Sequence, residues 1–336
     1  MVGQQQAPSP AVEEIGAQPT RWTRRHVLDI DDFSVEEIEL VMSQADAMSE
    51  VLSRDVPRVP ALRGVTVVNL FYENSTRTRT SFELAAKALG ADVVNIADSA
   101  SSVTKGESLV DTVRTVQALG ADIVVMRHAQ SGAPYLAMRH SEVSFLNAGD
   151  GWHAHPSQAL LDLYTLRQRI GSVRGRKVVI CGDVAHSRVA RSNIWGLATM
   201  GAQVVLSGPP TLIPREFSGP QEGLLPPVRV DHDFNSAIEG ADVVMMLRLQ
   251  AERQQSGLLP SLREYALLYQ LDEERLARAA SGAVVMHPGP MNEGVEISPA
   301  VAHGARSLVE SQVTNGVAVR MALLYLVGNR RREARS

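Results

Sequence analysis

The chain has a single cysteine, Cys181, among 336 residues. No intrachain disulfide can form, and no cysteine-rich metal site can be assembled. A reducing, cytoplasmic setting fits that scarcity. A basic excess is also missing: the formal net charge is -4 and the pI is near 6.2. That argues against a general nucleic-acid or membrane surface, which would want surplus lysine and arginine. Any anion must be met by local basic clusters. No apolar run approaches the roughly 20 residues that span a bilayer. Met1 to Thr20 is rich in Gln, Pro and Ala and lacks a basic-then-apolar signal pattern. Residues 1–24 therefore read as a disordered extension, with regular structure starting near Asp31.

What is present is an ordinary globular balance, 44% hydrophobic and 21% charged, in a chain long enough for two domains. Ser34 and Glu37 read as a capping box ahead of an apolar helical face at Ile38, Val41 and Met42. Val65 to Tyr72 reads as a buried strand, and Phe82, Ala85, Ala86 and Leu89 as a helix that stops at Gly90. Strands are expected at Asp92–Ala97, Ile123–Met126 and Val143–Asn147, and helices at Glu107–Leu119 and Gln158–Ile170. After the polar hinge Gly171 to Gly175 the pattern restarts, with strands at Lys177–Cys181, Gln203–Leu206, Asp242–Met246 and Ala283–Met286. Pro209 to Pro227 reads as a loop, Val313 to Val327 as the last strong helix, and Arg330 to Arg335 as a solvated basic end. Short apolar strands alternating with amphipathic helices predict an α/β class: two doubly wound parallel-sheet domains joined by interdomain helices.

Polar and basic groups recur just past these strands. Ser75-Thr76-Arg77-Thr78-Arg79-Thr80 sits where a strand turns into a helix. Open N–H groups, the helix dipole, hydroxyls and two guanidinium forks all suit a phosphate; the plain alternative is a cap followed by solvated arginines. No Gly-x-x-x-x-Gly-Lys loop is present, so this is not a nucleotide P-loop. In His153-Ala154-His155-Pro156-Ser157-Gln158, Pro156 fits a first helical turn, and His155 and Gln158 share one face near its positive end. That end favours a neutral, hydrogen-bond-donating histidine; capping residues, or half of a metal site, are the rivals. Gly182 to Arg191, Arg248-Leu249-Gln250 with Arg253, His287-Pro288-Gly289-Pro290, and the Ser101–Glu107 loop with Lys105 complete the series. Ligands of open α/β sheets bind at such strand ends, so two basic edges predict a cleft for two anionic ligands.

Phe71 to Arg79 resembles the carbamoyl-phosphate motif of the transcarbamylase family, and His155-Pro156-Ser157-Gln158 its shared His-Pro-x-Gln. Order and spacing of the other motifs fit from about Trp22 to Val327. Arg248-Leu249-Gln250 resembles the aspartate-side motif of the aspartate branch, and the ornithine branch's His-Cys-Leu-Pro segment is replaced by His287-Pro288-Gly289-Pro290. The resemblance implies a carbamoyl-phosphate-binding domain (25–155, completed by a C-terminal helix 308–330), an interdomain helix and hinge (156–175), an aspartate-binding domain (176–307) and a basic tail (331–336).

It also implies roles. Ser75, Thr76, Arg77 and Thr78 would hold phosphate. Thr78, Arg127 and His155 would polarise the carbamoyl oxygen, with Gln158 near its nitrogen. Ser101 and Lys105 would reach a neighbouring subunit's site in a homotrimer. Arg188, Arg248 and Gln250 would hold aspartate carboxylates, and the Pro288 and Gly289 carbonyls its amine. Glu73 would bridge to Arg188 and Arg253 as the domains close. No metal or organic cofactor is implied. A larger assembly with regulatory chains or a dihydroorotase stays open, as do a different amine acceptor and a silent scaffold paralogue. Asn74, where many relatives have proline, and Glu293, where many have arginine, depart from the pattern.

Overall fold

The computed structural model describes residues 21–97, 107–218, 225–249 and 261–333. The first half runs α1 (Val35–Leu52), β1 (Thr66–Phe71), α2 (Thr76–Ala88), β2 (Asp92–Ala97), α3 (Leu109–Ala118), β3 (Ile123–His128), α4 (Ala133–Arg139) and β4 (Ser144–Asp150). Helix α5 (Pro156–Ile170) crosses to the second half. There follow β5 (Lys177–Cys181), α6 (Arg188–Thr199), β6 (Gln203–Ser207), β7 (Val228–Val230), α7 (Phe234–Ile238) and β8 (Val243–Met246). Helices α8 (Leu262–Tyr269) and α9 (Glu273–Leu276), β9 (Val284–Met286) and α10 (Pro299–Ala302) complete that half, and α11 (Val309–Glu333) returns to pack on α1, α2 and α5.

Both sheets are parallel, with orders β2-β1-β3-β4 and β7-β6-β5-β8-β9. Central strands such as β5 (Lys-Val-Val-Ile-Cys) are β-branched and buried on both faces, as helices on either side of a parallel sheet require. Chain order reverses between β1 and β3 in one sheet and between β5 and β8 in the other. Crevices open at the carboxyl ends of those pairs. Arg127 lies near the carboxyl end of β3, and Glu73, Arg188 and Arg248 follow β1, β5 and β8.

Two expectations are corrected. Residues 21–24 are not a disordered extension: Trp22 is buried edge-on against Phe33, and Arg24 binds Glu37 and Asp32 at 2.7 Å each. The apolar indole and a paired arginine fix the chain before the capping box, which itself is formed as expected. The basic tail is not a solvated end from Arg330 onward. Helix α11 continues to Glu333, because Arg331 reaches back to Asp122 (3.2 Å) and to the Glu142 carbonyl (2.8 Å).

Candidate active site

Ser75 caps α2, its hydroxyl accepting the Thr78 N–H at 3.4 Å. The cap directs the open first turn of α2 into a cleft of about 450 Å³ between the two halves. Arg127, the fifth residue of β3, donates to the Ala148 carbonyl (3.2 Å) and faces Glu73 (3.3 Å). His155 is the N-cap of α5, held by its backbone N–H on Ser192 Oγ (2.9 Å). Burial first, then the charges of Arg127, Arg188 and Arg320, hold its pKa well below the ordinary imidazole range. His155 is therefore neutral, and the cause is desolvation and three guanidinium groups rather than the helix end alone.

The opposite wall comes from the second half. Arg188, the first residue of α6, donates to both Glu73 oxygens (2.9 and 3.1 Å) and to the Gly151 carbonyl (3.1 Å). Gly149 has φ +115, and a Cβ there would lie 2.8 Å from Arg188 Nε. His287 Nδ1 accepts the Gly289 N–H (2.9 Å), which directs Nε2–H to Glu296 (3.3 Å). That orients the turn carrying Pro288 and Gly289. Gly289 has φ +65, and any Cβ would overlap the Arg77 guanidinium.

Of the expected residues, Glu73, Ser75, Thr76, Arg77, Thr78, Arg127, His155, Gln158, Arg188, Arg248, Pro288 and Gly289 line this one cleft. Ser101, Lys105, Gln250 and Arg253 lie outside the described residues. His153 and His155 do different things. Both ring nitrogens of His153 face carboxylates, Asp150 and Asp29 at 3.1 Å each, which push its pKa up to about 10. It is an imidazolium anchor two residues from a neutral histidine, not the mate of a metal ligand. Asn74 lines the cleft, whereas Glu293 pairs with His303 at 3.1 Å and does not.

Sequence reasoning missed three residues here. Arg320 of α11 is buried and lines the cleft, donating to Ser81 Oγ at 2.8 Å over the Phe82 ring. Gln312 lines it too. Asp162 lies fully buried behind Gln158. The signal was a lone arginine in the apolar run Val317 to Val327 and a lone aspartate in Ala159 to Leu166. Ionised groups at such positions need partners or a purpose.

Fold and site together define a two-domain α/β protein whose interdomain cleft is built for small anions. The chain belongs to the aspartate/ornithine carbamoyltransferase family. Residues 25–168 match its carbamoyl-P binding domain and residues 174–327 its Asp/Orn binding domain. It is 63% identical over 303 residues to the aspartate carbamoyltransferase catalytic subunit of Chloroflexus aurantiacus, covering 90% of this chain and 97% of that one. It is similar in structure to aspartate transcarbamoylase from Trypanosoma cruzi in complex with carbamoyl phosphate and aspartate (TM-score 0.81, 30% identity, 92% of this chain and 99% of that one). Ornithine carbamoyltransferase from Pyrococcus furiosus is nearly as close in fold (TM-score 0.80, 26% identity, 92% and 99% covered). Backbone shape alone therefore does not choose the acceptor.

Proposed function

We propose that this chain transfers the carbamoyl group of carbamoyl phosphate to the amine of L-aspartate, giving N-carbamoyl-L-aspartate and phosphate, a step of de novo pyrimidine synthesis. The observation that carries the reading is the pairing of two walls. One has an open helix N-terminus with Arg77, Arg127 and neutral His155; the other has Arg188 and Arg248. The 63% identity to a catalytic subunit of that name supports it.

Phosphate sits at Ser75, Thr76, Arg77 and Thr78, where N–H groups and a fixed cation match its oxygens. The neutral aspartate amine attacks the carbamoyl carbon. The carbonyl oxygen becomes negative and is held by Thr78, Arg127 and His155; removing one such donor typically raises the barrier by ~2.7–4 kcal/mol. Collapse breaks the bond from carbon to the phosphate oxygen, and the departing phosphate takes the amine proton. No protein base is required. Arg188, Arg248 and Gln250 hold the carboxylates, and the Pro288 and Gly289 carbonyls steer the amine. A second cationic grip on the acceptor would repel an ornithine ammonium. Arg253 joins the Glu73–Arg188 pair as the domains close. The assembly is a cytoplasmic homotrimer in which Ser101 and Lys105 complete a neighbour's site.

The test is a carbamoyl-transfer assay with aspartate, ornithine and putrescine in parallel. Aspartate should be the fastest acceptor. Faster turnover with either amine would reassign the site, and no turnover with any of them would leave a scaffold.

A further inference from the structure

Asp162 lies on α5 one turn beyond Gln158, fully buried and outside the cleft lining. Its Oδ1 receives Gln158 Nε2 (3.0 Å) and Gln312 Nε2 (2.7 Å), and its Oδ2 receives Asn193 Nδ2 (2.8 Å). Two of those amides are oriented by something else. Gln312 Oε1 accepts the His287 N–H (3.1 Å), and Asn193 Nδ2 also donates to the Val189 carbonyl (3.0 Å). A backbone N–H only donates and a carbonyl only accepts, so both amides must turn NH2 toward Asp162. Gln158 is the one adjustable partner. An ionised carboxylate accepts only, so it takes Gln158 Nε2 as well and leaves Oε1 to the cleft, with no partner among the described residues.

The orientation matters for the donor substrate. A carbamoyl group offers an NH2 beside its carbonyl. Acetyl phosphate has nearly the same shape with a methyl there and offers no N–H. A carbonyl oxygen in the cleft favours the first, whereas an NH2 would meet the carbamoyl NH2 donor to donor.

We propose that Asp162 is a positioning residue that selects the donor substrate: by holding Gln158 Nε2 it turns Gln158 Oε1 toward the carbamoyl nitrogen, so that the cleft takes a carbamoyl phosphate in preference to an acyl phosphate of the same shape. The inference rests on the carbamoyl-transfer reading. Burial raises the Asp162 pKa only to about 6, with Arg320 and the three amides opposing the rise, so the group is ionised at neutral pH. Replacing it with asparagine puts a donor among committed donors. Where that NH2 takes the Oδ1 side, shared by Gln312 and Gln158, Gln158 is the partner free to turn, and its NH2 then enters the cleft.

The experiment compares dissociation constants of carbamoyl phosphate, acetyl phosphate and inorganic phosphate for the full-length wild type and Asp162→Asn at pH 8. The wild type should prefer carbamoyl over acetyl phosphate by about ten-fold or more, the scale of one hydrogen bond plus an unpaired group. In Asp162→Asn the preference should vanish while phosphate affinity stays within about two-fold, a split that general loosening would not produce. A folded variant with the wild-type preference overturns the proposal. Should Asp162→Asn fail to fold, Asp162→Asn/Gln158→Glu carries the test. It moves the carboxylate one turn along α5, accepts the new amide, and leaves an oxygen in the cleft. Recovery of the carbamoyl preference supports the inference, and phosphate binding without that preference overturns it. A wild type that discriminates but transfers no carbamoyl group would instead sink the functional reading.

Discussion

Glu73 and Arg188 clasp each other across the cleft, Oε2 to Nη1 at 2.9 Å and Oε1 to Nη2 at 3.1 Å. One follows β1 in the first sheet, the other opens α6 in the second half. Arg188 is 4% exposed, and this partner and the Gly151 carbonyl offset the burial of its guanidinium. Glu73→Gln keeps the shape and removes the charge. A hydrogen bond to a charged group contributes about 1.5–3 kcal/mol, which predicts a fall in kcat/KM of about 10–100-fold with aspartate as the varied substrate. Unchanged steady-state constants would show that the clasp does not assist the bound state.

Gly289 is the point where the second half touches Arg77 of the first. A side chain at φ +65 is strained, and here it would also displace the Arg77 guanidinium. Gly289→Ala should raise the KM for carbamoyl phosphate by about ten-fold or more, as one charge-assisted contact is lost. Pro288→Ala, beside it and without a positive φ requirement, should do less. Equal effects of the two in carbamoyl-phosphate titrations would argue that turn rigidity, not the Arg77 approach, is what glycine protects.

Much of this arrangement was legible. The strand limits Asp92–Ala97 and Lys177–Cys181 match those expected, because parallel strands are short, rich in apolar residues and bounded by turns, at the exposed edge (β2) as in the buried centre (β5). The motif residues converge because strand ends in a parallel sheet share one edge. Helix α4 was missed: seven residues with Gly132 as a left-handed cap and Pro134 near the start look like a loop. Strand β7 was missed because three residues beyond a proline-rich stretch carry no period. Arg320 and Asp162 showed in the sequence only as lone charges in apolar runs: their partners come from other elements, and no local spacing places them at the cleft. Trp22 needed its partner Phe33 before it could be told from a tail residue.

His155 should act as an uncharged donor. His155→Ala is expected to lower kcat by at least ~100-fold, the loss of one oxyanion donor. Because burial and three arginines keep its pKa well below the ordinary value, turnover should show no inflection near pH 6.5 from this group. Chelators should leave wild-type activity intact, since His153 has both ring nitrogens on carboxylates. An inflection near pH 6.5 that disappears in His155→Gln would mean the imidazole titrates in the working range.

A site completed by a neighbour's Lys105 predicts rescue on mixing. Arg77→Ala spoils the site its chain owns, and Lys105→Ala spoils the site its chain donates to. In a closed cyclic trimer every interface is the same head-to-tail contact. Any mixed trimer then holds one interface where an intact Arg77 owner meets an intact Lys105 donor. Each pure variant should be nearly inactive, and co-refolding should raise activity well above both. Mixed trimers that form but stay at parental activity would place Lys105 within its own chain.

The charge of Asp162 links pH to both substrate choice and stability. Burial lifts its pKa from 3.8 to about 6 against the opposing amides and Arg320. Arg320 itself, at about 10, keeps its charge through the range, and neutral His155 does not gain one. As pH falls below 6, Asp162 takes up a proton that needs an acceptor. Gln312 and Asn193 are committed as donors, so Gln158 Oε1 turns to accept it. The preference for carbamoyl over acetyl phosphate should therefore decline between pH 7 and pH 5 in the wild type. Stability moves with the same group. Its folded pKa is raised, so the folded chain holds the proton more firmly than the unfolded one, and this contribution is full below pH 3.8 and lost as pH rises through 6. The whole swing is about 3 kcal/mol at most. Asp162→Asn has no such proton, so its denaturant midpoint should gain on the wild type from pH 4.5 to pH 7.5 even as its carbamoyl preference is lost. A preference that stays constant with pH, alongside a stability difference that shifts as stated, would separate the two effects and show that the protonated acid leaves Gln158 unturned.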